Sequence, residues 1–333
     1  MKGLGLLLSA VILSVGSLLA QAPVPGEPQE QTPRFKSGAS LVALNVTVVD
    51  PTAHYVSGLQ PGDFAVYEDG VKQDVRFFES TGVPVDLIVL LDTSSSMSDK
   101  MDIVHEAAIG FLRTLRAGDR GAVVAFNDSV NVLQPLTTDR PELEKAVMST
   151  HAQGATALNN ALYIALKQFG QLAHSDERVR RQAIAVLSDG EDTASLVTFE
   201  DVLALARRTG VNVYTVGLQS RYSAQRLAAE GGHRYFSESD YAMKTLARET
   251  GAQSFFPMQA ADLKGAYASI AAELANQYSI GYVPANGRMD GRFRRVIVQV
   301  IARPELRPRT RLGYLADGGG GRFSNAGSSL SQR

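Results

Sequence analysis

From Leu41 onward the hydrophobic period of this chain changes twice. Val42, Leu44, Val46 and Val48 alternate with Ala43, Asn45 and Thr47, the pattern of a half-buried strand. Residues 64–68 and 72–79 flank Asp69-Gly70, a dipeptide suited to a tight hairpin turn. At residues 85–91 the alternation gives way to the run Val-Asp-Leu-Ile-Val-Leu-Leu, which reads as a parallel strand buried on both faces. Met101, Val104, Ala108, Phe111, Leu112 and Leu115 then fall at helical spacing, as do Leu158, Ala161, Leu162, Ala165, Leu166 and Phe169. Strands are predicted at 121–126, 183–187, 212–218 and 254–258, with 130–136 as an antiparallel edge. Further helices are predicted at 199–209, 241–250 (stopped by Gly251) and 261–277. Helices alternating with strands over residues 83–277 predict a doubly wound, mostly parallel α/β sheet.

After residue 277 the period returns to two. Residues 278–284 and 293–303 are predicted to form a hairpin through a Gly- and Asp-containing turn, continuing extended to 315. The two β pieces, 39–82 and 278–315, are each too small to bury a core alone. They are expected to pack together as a small β-sandwich, with the α/β domain inserted between them.

The ends have a different character. Residues 1–22 read as a secretory signal: Lys2, an apolar core from Leu6 to Leu19, then the small residues Ala20 and Ala22. An uncleaved anchor is the other reading, but that core is shorter than the roughly 20 residues a membrane span needs. Residues 23–38, rich in Pro, Gln and Glu, are expected to be a disordered linker, and the Gly/Ser-rich stretch 316–333 a disordered tail. The mature chain is then expected to be secreted or periplasmic, with no membrane span.

Composition narrows the function. An apolar content of 44% and a charged content of 20% over 333 residues are ordinary for a globular protein. A net charge of -1 gives no reason to expect nucleic acid or an anionic membrane as partner. There is no cysteine, which excludes a disulfide, a thiolate zinc site, a cysteine nucleophile and a lipid-anchored N-terminus. No Gly-x-Ser-x-Gly elbow, His-Glu-x-x-His helix or phosphate-binding Gly-Lys-[Ser/Thr] loop occurs, so no enzyme is predicted.

The chemistry sits where the apolar run ends. Asp92-Thr93-Ser94-Ser95-Ser96 puts a carboxylate and two alternate hydroxyls on one short loop at the carboxyl end of a central strand, where open α/β sheets place ligands. Thr156, in Gly154-Ala155-Thr156-Ala157, and Asp189, in Leu187-Ser188-Asp189-Gly190, complete a set of five oxygen donors. Oxygen donors without sulfur or imidazole describe a site for a hard divalent cation. The competing reading is that Ser94, Ser96 and Thr156 only cap helices.

In order, spacing and strand context these residues resemble the metal-ion-dependent adhesion site of von Willebrand factor A domains, over roughly residues 83–277. The flanks are similar to von Willebrand factor A-related secreted proteins abundant in acidobacteria, in which a Tyr-x-x-Gly-Tyr segment follows the domain. Here it reads Tyr278-Ser279-Ile280-Gly281-Tyr282. The resemblance implies that Asp92, Ser94, Ser96, Thr156 and Asp189 hold Mg²⁺, with Mn²⁺ or Ca²⁺ as substitutes. It also implies that an Asp or Glu of a protein partner completes the shell. Ser95 departs from the pattern, since many relatives have Gly there, and 219–240 has the look of an insertion. The rival functions are a metal-dependent hydrolase at the same ion and a scaffold whose ion only stiffens the loops.

The remaining candidates read as background. Asp99, Asp128, Glu191 and Asp192 are expected to be solvated loop acids, with Asp192 the best candidate for supporting the site from behind. His54, His105, His151, His174 and His233 lack metal-ligand spacing. Tyr278 and Tyr282 are expected to pack the hairpin, and Arg303, Arg307, Arg309 and Arg311 to form a solvated basic stretch.

Overall fold

The computed structural model describes residues 41–80, 82–172, 179–189, 192–218, 237–316 and 322–323. The chain divides into two units, Met1–Arg34 and Phe35–Arg333, and every described residue belongs to the second. The expected signal and linker, and most of the expected tail, lie outside the described residues.

A six-stranded sheet forms the centre. Its strands are β5 (Val85–Asp92), β6 (Arg120–Phe126), β7 (Val130–Thr137), β8 (Arg181–Ser188), β9 (Asn212–Gly217) and β10 (Ser254–Phe255). They run in the order β10-β9-β8-β5-β6-β7, parallel throughout except for β7, which pairs antiparallel with β6 at the edge. Strand β5 is buried at all eight positions. Leu87, Val89 and Leu91 enter one apolar core with helices α1 (Met101–Leu112), α2 (Arg140–Met148) and α6 (Leu263–Asn276). Ile88 and Leu90 enter the other with α3 (Leu158–Leu172) and α4 (Phe199–Thr209). Helices on both faces of a parallel sheet are the predicted doubly wound fold.

Helix α2 has no counterpart in the periodicity reading. It buries only Leu143, Ala146 and Val147, too few for a visible stripe. Its start is nevertheless encoded: the Asp139 side chain accepts from the Glu142 amide, and Pro141 lies in the first turn. Of the stretch 219–240 set apart as an insertion, residues 237–240 open helix α5 (Glu238–Glu249), where Ser237 and Asp240 form a capping box. The rest of it lies outside the described residues.

The flanking strands interlock in two sheets. One has the order β13 (Arg307–Arg309), β1 (Leu41–Val49), β11 (Tyr278–Tyr282) and β4 (Val75–Glu79), with β15 (Arg322–Phe323) also paired to β1. The other has the order β14 (Gly313–Leu315), β12 (Phe293–Val300), β2 (Phe64–Glu68) and β3 (Val71–Gln73). Val42, Leu44 and Val46 of β1, Ile280 of β11, Val66 of β2 and Val298 of β12 meet in the core between them.

Two sequence readings are corrected here. The segments at 278–284 and 293–303 do not form a hairpin: β11 lies between β1 and β4, while β12 pairs with β2 and β14. Strand β11 is buried at every position and needs a partner on each side, which the N-terminal piece supplies. The alternately exposed β12 covers the opposite face. Likewise, only the first half of 72–79 completes the hairpin at Asp69-Gly70, and β4 crosses to the other sheet.

Two seams join the sandwich to the α/β domain. Glu273 of α6 is fully buried. It accepts from Tyr214 Oη of β9 (2.9 Å), from Thr47 Oγ1 of β1 (3.2 Å) and from Arg309 of β13 (2.5 Å). Burial and this carboxylate hold the Tyr214 hydroxyl well above its usual pKa. The second seam needs Gly251, left-handed at φ 77° after helix α5. A Cβ there would strike the backbone of Thr310 and Arg311. Arg309 and Arg311 are therefore not part of a solvated basic stretch: the first pairs with buried Glu273 and the second is itself buried.

Removing the Glu273 carboxylate strands a buried tyrosine and a partly buried arginine. Glu273→Ala should lower unfolding free energy by about 3 kcal/mol, measured by urea denaturation of the full chain. A loss below about 1 kcal/mol, within the range of an ordinary surface pair, would contradict the role given to this seam.

Candidate metal centre

The candidate donors stand on loops at the carboxyl ends of the central strands. Asp92 is the last residue of β5, and Asp189 follows the last residue of β8. Thr156 lies in the connection from α2 to α3. Backbone hydrogen bonds lock these loops together. The Ser95 amide donates to Gly154 O (3.1 Å) and the Gln153 amide to Thr93 O (2.7 Å). The Thr193 and Ala194 amides donate to Thr156 O (2.8 and 2.9 Å), tying the segment after Asp189 to the Thr156 loop.

Within this frame Asp92, Ser94 and Ser96 come into direct contact. The Ser94 amide donates to Asp92 Oδ1 (2.9 Å), and the Ser94 and Ser96 hydroxyls lie 3.0 Å apart. Ser94 flanks the short 3-10 turn Ser95–Met97, yet its side chain makes no capping bond. That removes helix capping as the reason for its hydroxyl. Asp92, Ser94, Thr156 and Asp189 are buried, while Ser96 is exposed and opens the group to solvent.

Two carboxylates at this end of the sheet, Asp92 and Asp189, are buried close enough to interact. Burial raises the Asp92 pKa, with bonds from Ser188 and Ser94 working against the rise and the Asp189 charge adding to it. Asp189 Oδ1 is buried and has no hydrogen-bond partner. An orphaned carboxylate oxygen is costly, and a hard dication is the group that would satisfy it beside two hydroxyls and a second carboxylate. The residues present therefore fit such an ion.

Two residues in contact with the donors, Ser188 and Lys100, were not foreseen from the sequence. Ser188 Oγ donates to Asp92 Oδ2 at 2.6 Å, bracing the carboxylate from the neighbouring strand. Lys100 Nζ lies 3.9 Å from Asp189 Oδ2 and donates to Ser96 O at 3.4 Å. A sequence signal for Lys100 existed: it stands directly before the first residue of α1, where the helix dipole disfavours a cation unless an anion is near.

Among the background acids, the Asp128 side chain lies against Gly154 of the Thr156 loop. Asp99 and Asp128 are exposed. Asp192 accepts from the Asn159 and Ser195 amides (2.8 and 3.0 Å), which anchors its loop to the start of α3. His151 is exposed, and its ring lies 3.4 Å from Ser149 O. His105 is buried against Thr150 (2.7 Å), and burial lowers its pKa. His54 is exposed; His174, His233, Gly190 and Glu191 lie outside the described residues. Tyr278 and Tyr282 are buried, with Tyr282 donating to Glu68 (2.7 Å), as expected of packing residues.

Residues 86–249 match the family model of the von Willebrand factor type A domain. This part of the chain is a von Willebrand factor A domain. A UPF0353 protein of Mycobacterium leprae is 26% identical over 255 residues, covering 72% of this chain and 72% of its own. Mouse matrilin-4 is 28% identical over 147 residues, 41% of this chain and 23% of its own. A solved von Willebrand factor type A structure from Catenulispora acidiphila, 15% identical, has a TM-score of 0.48 and covers 88% of this chain and 76% of that one. The UPF0353 relatives are mycobacterial, so they do not single out the acidobacterial secreted group.

The raised Asp92 pKa carries a sign. A carboxyl whose folded pKa exceeds its unfolded value weakens the fold once pH passes the unfolded value, and the penalty is complete above the folded one. Asp92→Asn should raise the melting temperature of the metal-free von Willebrand factor A domain protein at pH 8. That advantage should shrink as pH falls into the carboxylate range. Calorimetry in EDTA checks this, and an unchanged or lower melting temperature at pH 8 would contradict it.

Proposed function

We propose that this protein is an extracytoplasmic binding module that holds a protein partner through a divalent cation. The cation, Mg²⁺ with Mn²⁺ or Ca²⁺ as substitutes, would be held by Asp92, Ser94, Ser96, Thr156 and Asp189. The observation that carries the reading is the buried Asp189 Oδ1 without a hydrogen-bond partner, on a residue close enough to Asp92 for its charge to raise the Asp92 pKa. Once bound, the ion supplies a Lewis-acidic position for a carboxylate from outside. The protein's own part is positioning: the interlocked loops hold the donors, Ser188 orients Asp92, and exposed Ser96 leaves an approach open.

The rim supports a partner surface. Leu196 is 93% exposed in the segment bonded to the Thr156 loop, and its amide is fixed by Asn160 Oδ1 at 3.1 Å. An exposed apolar side chain on a backbone fixed by a hydrogen bond is suited to contact a partner. The hydrolase alternative needs a base beside the ion, and the histidine nearest in sequence, His151, is exposed and turned to Ser149 O. The apolar segment from Leu6 to Leu19, preceded by Lys2, supports a place outside the cytoplasm. Among the described residues no helix is long and apolar enough to cross a membrane.

Titration calorimetry should show Mg²⁺ or Mn²⁺ bound at one site, lost in Asp92→Ala. A partner captured from envelope extracts should be released by EDTA, recaptured with Mg²⁺, and missed by Thr156→Ala protein that remains folded. Capture indifferent to EDTA, or phosphoester or peptide hydrolysis abolished by Asp189→Ala, would overturn the binding reading in favour of its rivals.

A further inference from the structure

Lys100 is a buried cation beside one of the carboxylates proposed to hold a metal ion. Its side chain is only 10% exposed, and the Asp189 side chain beside it 2%. A buried ammonium costs free energy unless it is well paired. Here its contacts are long: 3.9 Å to Asp189 Oδ2 and 3.4 Å to Ser96 O. It also stands at the start of α1, where the helix dipole repels it. Both of its contacts belong to residues of the proposed donor set, and neither belongs to the packed cores.

We propose that Lys100 is a built-in counter-charge that stands in for the dication in the metal-free protein and opposes its entry, an inference that rests on the metal-site reading above. Asp92 and Asp189 repel one another, as the upward push of Asp189 on the Asp92 pKa reflects. With Lys100 in place the metal-free site carries a formal charge of about one negative unit rather than two. The same ammonium repels an arriving cation. After metal entry the group is left with net positive charge, which only an anion from outside can neutralise. One side chain thus weakens metal binding and biases the loaded site toward a carboxylate ligand.

The test uses the full chain in wild-type, Lys100→Met and Lys100→Arg forms, with Mg²⁺ alone as the probe and Asp92→Ala as the site control. Methionine keeps the length of the stem and removes the charge. Titration calorimetry at fixed ionic strength should show Mg²⁺ binding to Lys100→Met about tenfold tighter than to wild type, with Lys100→Arg within about threefold of wild type. Thermal unfolding in EDTA should show Lys100→Met melting several degrees lower than wild type, and saturating Mg²⁺ should erase that deficit. Equal or weaker Mg²⁺ binding by Lys100→Met, or an unchanged melting temperature in EDTA, overturns the proposal while leaving the metal site standing. No Mg²⁺ binding by either wild type or Lys100→Met, or binding that survives Asp92→Ala, overturns the metal-site reading and this proposal with it.

Discussion

Strand β5 has no exposed face, and its last residue is a carboxylate. Seven positions of apolar and paired side chains drive it into the middle of the sheet, between β8 and β6. That placement carries Asp92 to a point with no access to solvent. A charge there is expensive in proportion to the quality of the strand that holds it. The Ser94 amide, the Ser188 hydroxyl and the loop crossings from Gln153 and Gly154 are all arranged around that constraint. The other end of β5 shows the ordinary solution to the same problem: buried Asp86 is bonded directly by Arg120 and Arg180 at 2.7–2.8 Å. Among the described residues no arginine bonds Asp92, one Asp189 oxygen is left without a partner, and a lysine stands off at 3.9 Å. The contrast between the two ends supports the proposal that the Asp92 end is a site.

The candidate site belongs to a compact unit larger than the von Willebrand factor A domain alone. Helix α6, which follows the matched residues and packs on the same α/β sheet, runs straight into β11, the most buried strand of its sheet in the sandwich. Glu273 on that helix binds residues from β1, β9 and β13. A partner engaged at the top of the α/β sheet would therefore pull on a domain fixed at its base by hydrogen bonds to a buried charge, rather than on a free linker.

The sequence made some of this plain and hid the rest, for physical reasons. Continuous apolar runs and helical stripes record burial, so β5, α3 and α4 could be placed closely. Helix α2 buries three side chains and left no stripe; only Asp139 and Pro141 mark it. Strand pairing was the larger failure. Alternation in 278–284 and 293–303 tells which face of each strand is buried, but not which neighbour it takes, and proximity in sequence suggested a hairpin that β1, β2 and β4 displace. The donor residues could be named because strand ends in this fold converge. Ser188 and Lys100 act through contacts made by folding: one from an adjacent strand, the other from the start of a helix eight positions beyond Asp92. A cation at a helix N-terminus was the available clue to the second.

The central claim is that these five oxygen donors hold a divalent ion. Crystals grown with Mn²⁺, with data collected at the manganese absorption edge, test it most directly. The account predicts an anomalous peak about 2.2 Å from the Ser94 and Ser96 hydroxyls, with Asp189 Oδ1 turned to the ion or to a water on it and the Lys100 ammonium withdrawn from Asp189. An anomalous map with no peak within reach of Ser94 and Asp189, with Lys100 still paired to Asp189, would contradict it.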